Sequence, residues 1–175
     1  GDAPERLNLD RPEVVHGLHE SYVNAGSDIV LTNTFGGSAY RLQLHKLDDR
    51  VVEINREAAR HARHVVDQLD RRVVVAGSMG PTGELLAPLG SLEPADAAAA
   101  FADQAQGLTE GGADVLWIET MSSMEEIEAA IEGARSVSDL PIAVTLSFDT
   151  AGRTMMGVSG TAAGTRLAEL EVAAM

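Results

Sequence analysis

The sequence has 175 residues, 45% hydrophobic but only 3% aromatic, enough for one ordinary core built from Ala, Val, Leu and Ile. Its net charge of −14 excludes a nucleic-acid surface, whose phosphates need a basic face, and disfavours an anionic membrane. With no cysteine, no disulfide and no thiolate metal site can be made within these residues; no apolar run is long enough to span a membrane and no signal-peptide pattern opens the sequence, so a cytoplasmic protein is expected.

Gly1–Leu9 reads as irregular. Asp10 is expected to cap a helix with Pro12 and Glu13 in its first turn, and Val14, Val15, Leu18, Tyr22 and Ala25 follow at helical spacing up to Gly26. A strand near Asp28–Thr32 empties into the loop Asn33-Thr34-Phe35-Gly36-Gly37-Ser38. A second helix is expected from about Asp48 to Leu69, with Arg56, Arg60, Arg63 and His64 facing water. Val73–Ala76 is the next strand. The stretch from Gly77 to Glu84 reads as a shaped loop whose backbone N–H groups can approach a ligand, but it matches neither glycine-rich phosphate fingerprint.

Pro94 opens a third helix, with Phe101, Ala105 and Leu108 on one side. The stretch Ala113–Met121 then carries a short apolar run, Val115 to Ile118, that stops at an acid, Glu119. Such a run reads as a buried parallel strand, and in parallel α/β folds reacting groups sit at the carboxyl ends of strands. Position alone leaves Glu119 either a functional carboxylate or a helix cap. Ser122 and Ser123, each followed three residues on by Glu125 or Glu126, offer overlapping capping boxes for a fourth helix that buries Ile127, Ala130, Ile131 and Ala134. Ile142–Leu146 is a further strand, Thr150–Thr154 a turn, Met155–Val158 is left without an element, and a last helix is expected from about Ala163 to Ala174.

The phrase from Gly26 to Thr34 repeats as that from Gly112 to Thr120: a helix-ending glycine, an Asp, an apolar run, then a polar residue and Thr. Four strands alternating with helices predict an α/β fold of right-handed βαβ units in one domain over 1–175. Loops of functional composition after every strand favour a TIM (β/α)8 barrel over an open sheet, which concentrates them at one switch point. Four strands cannot close eight, so unpaired edges are expected, and with a terminal helix that calls for a following strand the sequence reads as part of a larger protein or as a half-barrel paired in a homo-oligomer.

The strand-end phrases together resemble the homocysteine S-methyltransferase family. The residues that carry the likeness are Asn8 to Glu13, Asp28 to Phe35 (DIVLTNTF), Gly77 to Gly83 (GSMGPTG), Ile118 to Met121 (IETM) and Ser147 to Gly157 (SFDTAGRTMMG), in the family's order and spacing. The family includes betaine–homocysteine methyltransferases and the homocysteine-binding domains of cobalamin-dependent methionine synthases. The likeness implies a TIM barrel of which this chain covers about the second to fifth βα units. It implies that Glu119 binds the amino group of homocysteine, that Asn33 and Thr34 lie in a strand-end loop beside it, and that Gly80, Pro81 and Thr82 form another loop on the same face. It implies homocysteine and a methyl donor as partners, the donor being betaine, a methylated folate passed through cobalamin, or S-methylmethionine.

Two departures from the family pattern matter. The family's opening strand, with its Asp-Gly motif, has no counterpart, and neither do the three cysteines that hold the family's zinc. A thiol near pH 7 is mostly protonated, and the zinc is what makes it a thiolate. Residues 1–175 alone are therefore expected to transfer no methyl group. His16/His19 and His61/His64 have a spacing that can bind metal, but the second pair lies on an Arg-rich outer helix, and a structural role is the stronger reading; His45 stands alone. No catalytic residue and no metal ligand is assigned within this chain. The alternatives are another barrel enzyme of lyase or aldolase type, using Glu119 as general base but without a strand-end lysine since Lys46 is the only one, and a non-catalytic half-barrel.

Overall fold

A computed structural model gives the fold for residues 3–175. Four strands, β1 (Ile29–Leu31), β2 (Val74–Met79), β3 (Val115–Met121) and β4 (Ile142–Leu146), form one parallel sheet in the order β1-β2-β3-β4. Consecutive parallel neighbours joined by right-handed crossovers place the crossover helices on one face, which is how the wall of a barrel is laid down; an open doubly wound sheet would reverse its order. The helices are α1 (Leu7–Asp10), α2 (Pro12–Asn24), α3 (Ala39–Leu42), α4 (Val51–Val66), α5 (Pro94–Glu110), α6 (Met124–Val137) and α7 (Gly160–Glu169). No helix among the described residues is long and apolar enough to cross a membrane.

Strand alternation sorts side chains between two faces. Leu116, Ile118, Ile142 and Val144 are buried beneath the helices, where Phe101, Ala105, Leu108, Ile127, Ala130, Ala134 and Leu167 complete the main core, while Val75 packs with Val23, Val30, Ala62 and Val65 in a second cluster. The other face carries Ile29, Leu31, Val74, Ala76, Ser78, Val115, Trp117, Glu119, Ala143 and Thr145, in line with the parallel register. On it Ile29 and Leu31 remain 45% and 43% exposed.

The repeated phrase has a structural meaning. Gly26 and Gly112 both take left-handed φ values, 99° and 94°, to end their helices, a conformation that favours glycine. The Asp two residues on pairs with an arginine at the strand entry each time: Arg71 with Asp28 at 3.2 Å, Arg63 with Asp114 at 2.6 Å. Arg63 thus turns inward, against the expectation that it faces water. It also donates to the Gly112 carbonyl, and Asp114 accepts from Val75 N.

Several boundaries differ from the sequence reading. Residues 4–9, within the stretch expected to be irregular, form with Asp10 a 3-10 turn and α1; residues 1 and 2 lie outside the described residues. Asp10 does not cap α2. Its carboxylate accepts from Arg6 at 2.9 Å, and Arg11 with φ −143° separates the two helices. The α-helix over the second predicted segment spans only residues 51–66, after a 3-10 turn at 48–50. Strand β2 continues through Gly77-Ser78-Met79, which composition marked as loop, because β3 supplies the pairing there. The last helix stops at Glu169, where Glu171 adopts φ 52°, and the chain returns to lie parallel beside β4: Ala173 N donates to Ile142 O and Val144 N to Ala174 O.

The four predicted histidines meet between α2 and α4. His16 Nε2 and His61 Nδ1 share a hydrogen bond of 2.9 Å, and the His16 ring stacks on His64. His61 also bonds the Asn8 carbonyl. His19 is 2% exposed, and burial, followed by the positive neighbours His61 and His16, lowers it from its ordinary 6.5 to about 4. The folded protein therefore refuses a proton that the unfolded chain accepts. Stability held above pH 6.5 is lost as pH falls toward 4, by about 3 kcal/mol from this group. Urea unfolding at pH 7 and pH 4.5 measures the loss. His19→Phe is expected to lose less over the same interval, and equal losses would remove His19 as the cause.

Candidate functional site

Glu119 stands on the open face of the sheet at the carboxyl end of β3, half-buried. A β-bulge puts it there. The β3–β4 register shifts between Ile118 and Met121, and Thr120 takes φ 63°. The inserted residue lets Ile118 and Met121, both 0% exposed, face the helices while Glu119 keeps the open face. A β-branched residue in the left-handed region costs about 1–3 kcal/mol, a cost met here by the packing on both sides. Thr120 N donates to Thr145 Oγ1 at 3.3 Å, which ties the bulge to β4.

The Glu119 carboxylate accepts from Ser78 Oγ at 2.5 Å. Ser78 sits at the end of β2, 1% exposed. Its N–H donates to Thr32 Oγ1 at 3.0 Å, and its carbonyl accepts from Thr34 Oγ1 at 2.7 Å. Gln104 on α5 donates to the Thr34 carbonyl at 2.8 Å. One network therefore runs along the carboxyl ends of β1, β2 and β3. Ser78 carries no signal in the sequence as long as its stretch is read as loop; alternation through an extended β2 is what places its side chain on the Glu119 face.

The other predicted residues have separate surroundings. Thr34, 0% exposed, joins the network through Ser78. Asn33 is half-buried and engaged with the N-terminal segment: its Nδ2 donates to Pro4 O, and its carbonyl accepts from Asn8 Nδ2, both at 2.8 Å. Gly80 packs against Phe35, where a Cβ would lie 2.6 Å from the Phe35 carbonyl oxygen, so only glycine fits. Thr82 is 1% exposed and donates through both N and Oγ1 to Glu126 of α6, at 2.8 and 2.6 Å. Glu126 thus completes only half of the expected capping box. Ser123 accepts its N–H, while its carboxylate turns to the 80–84 loop. Sequence reasoning named Thr82 as a loop residue and Glu126 as a cap, but not the pairing between them.

Beside Thr120 opens a cleft of about 370 Å³ whose lining includes Pro81, Leu85, Leu86, Leu89, Met155 and Met156. It shares the carboxyl face of the sheet with Glu119. The chemistry available on this face is that of the Glu119 carboxylate, held in a fixed orientation, and of a mostly apolar recess whose lining also includes Glu84, Glu125 and Glu126, suited to a small molecule bearing a cationic head. Among the described residues no group of three or more His, Asp or Glu side chains could hold a metal ion, and the sequence has no cysteine. The residues present therefore do not fit the zinc that the family resemblance implies.

A family model described as homocysteine S-methyltransferase matches residues 3–175. The methionine synthase of Mycobacterium tuberculosis is 35% identical over 161 residues, which are 87% of this chain and 13% of that protein. The methionine synthase of Mycobacterium leprae is 34% identical over the same shares. Among solved structures, the metallated form of the homocysteine methyltransferase MmuM from Escherichia coli superposes with a TM-score of 0.81 at 20% identity, covering 95% of this chain and 62% of that one. The structural likeness bears on the fold: the four-stranded sheet matches part of that enzyme. The chain spans a small fraction of the methionine synthases it matches and under two thirds of MmuM.

Proposed function

The chain belongs to the homocysteine S-methyltransferase family, and from that premise we propose that it forms part of an enzyme that methylates the thiol of homocysteine to give methionine. The observation that carries the reading to these residues is the Glu119 carboxylate, held by Ser78 at the end of β3 on the open face of the sheet. A carboxylate so placed binds the α-ammonium of homocysteine by charge and hydrogen bond. The loops ending in Thr34 and carrying Gly80 to Thr82 shape the same face.

Residues 1–175 orient the substrate but supply no group that makes its sulfur a thiolate; no step of thiol activation is assigned to them. The donor classes that the resemblance implies are betaine, a methylated folate passed through cobalamin, and S-methylmethionine. The test is methionine formation from L-homocysteine by the complete enzyme, with each donor class offered in turn. Turnover is expected with the complete enzyme and none with a polypeptide of residues 1–175. A complete enzyme that neither binds nor methylates homocysteine overturns the reading, and methionine formation by residues 1–175 overturns the division of labour.

A further inference from the structure

We propose that Ser78 is the positioning residue for Glu119, committing one carboxylate oxygen so that the other presents itself, in one orientation, to a primary ammonium. The inference rests on the reading of Glu119 as the partner of the homocysteine amino group and extends it to a residue that makes no substrate contact of its own.

The geometry is over-determined. Ser78 pairs in register with Trp117, so Glu119 lies one step further along the same face, diagonal to the serine. The serine hydroxyl donates to Oε1, and among the described residues Oε2 has no hydrogen-bond partner. Ser78 itself cannot drift. Its N–H is bound to Thr32 Oγ1 and its carbonyl to Thr34 Oγ1 and Gln104 Nε2, all three of these side chains being 5% exposed or less. The hydroxyl is thus anchored from β1 and α5 before it meets the carboxylate on β3.

A glutamate at a strand end is otherwise free to rotate about three torsions, and ordering such a side chain costs about 1.5–2 kcal/mol. An anchored donor makes that ordering part of folding rather than of binding, which is what preorganisation means. It also sets specificity. A guanidinium fork needs both carboxylate oxygens, whereas an ammonium is satisfied by one. With Oε1 committed, the site takes a primary ammonium and disfavours a guanidinium.

The test uses the complete enzyme, with calorimetric titration of L-homocysteine and of 4-mercaptobutanoate, which keeps the thiol and the carboxylate but lacks the amine. Ser78→Ala deletes one oxygen and keeps both backbone bonds of the residue. It is expected to weaken homocysteine about tenfold, the scale of one charge-assisted hydrogen bond acting through a second group, to leave 4-mercaptobutanoate unchanged, and to raise KM without a matching fall in kcat. In a Glu119→Gln background the same change should have no further effect, because the group it positions has lost its charge. Glu119→Asp withdraws the carboxylate from Ser78 without touching β2, and is expected to weaken homocysteine at least as much and to be insensitive to Ser78→Ala. Additive penalties, equal weakening of both ligands, or unchanged homocysteine binding in Ser78→Ala would each overturn the positioning role. If Glu119→Gln alone leaves homocysteine binding intact, the reading of Glu119 fails first, whatever Ser78 does.

Discussion

In the complete enzyme, Glu119→Gln is expected to raise KM for homocysteine about 100-fold, while kcat falls far less. The substitution keeps the shape and length of the side chain and removes its charge. Truncating one partner of a desolvated, hydrogen-bonded charge pair costs about 2–5 kcal/mol, and about 3 kcal/mol corresponds to roughly a hundredfold in affinity. Glu119 is half-buried and already fixed by Ser78, so little of this is returned by solvent. The partition between KM and kcat is the informative part. A carboxylate that only binds the ammonium acts equally on ground state and transition state, so its loss appears in KM. The competing lyase or aldolase reading makes Glu119 a general base, whose loss lowers kcat by about 10²–10⁴ with KM little changed. Steady-state kinetics with homocysteine as the varied substrate separates the two, and a collapse of kcat at constant KM would favour the base.

For stability, Gly133→Val is expected to cost about 4 kcal/mol, at the upper end of single substitutions. Gly133 lies on α6 where that helix crosses α5. A Cβ there would stand 2.1 Å from the Ala98 carbonyl oxygen and 3.0 Å from Ala102 N. Both are backbone atoms of α5 and cannot move without displacing the helix. The crossing is close because its residues are small: Ala97, Ala98 and Ala105 on α5 meet Ala129, Ala130 and Ala134 on α6. Spreading the pair also shifts the first turn of α6, where Glu126 holds Thr82, so the 80–84 loop should loosen with it. Gly17→Ala provides the contrast. That glycine is also helical, but nothing lies within 4 Å of its Cβ position, and the change is expected to stabilise by about 0.5–1 kcal/mol. Urea midpoints of the two variants should move in opposite directions, and a neutral Gly133→Val would mean that the two helices are not tightly apposed.

Much of the architecture was legible from local chemistry. Apolar runs bounded by glycine and polar residues located all four strands, because a strand buried beneath helices must be apolar wherever it runs. Helix periodicity located the long helices for the same reason. The repeated Gly-x-Asp phrase was legible as pattern but not as mechanism; that each Asp receives an arginine from a distant element, Arg71 or Arg63, is a long-range pairing that no local spacing encodes. Boundaries failed where tertiary partners intervened. Gly77, Ser78 and Met79 look like loop by composition and are strand because β3 pairs with them. Asp10 looks like a cap and is instead occupied by Arg6.

For the site, the sequence by itself determined at which end of the sheet Glu119 lies, since an acid that closes an apolar run must emerge where that strand ends. It also determined that no thiolate metal site can be built from these residues, because it contains no cysteine. Only the tertiary structure decided how that carboxylate is held. The bulge at Thr120, the approach of Ser78 from the neighbouring strand and the closure of Thr82 by Glu126 join residues 41 or 44 positions apart in sequence or depend on a register shift between strands. Such relations arise when strands pair and helices pack, and the identities of neighbouring residues carry no trace of them.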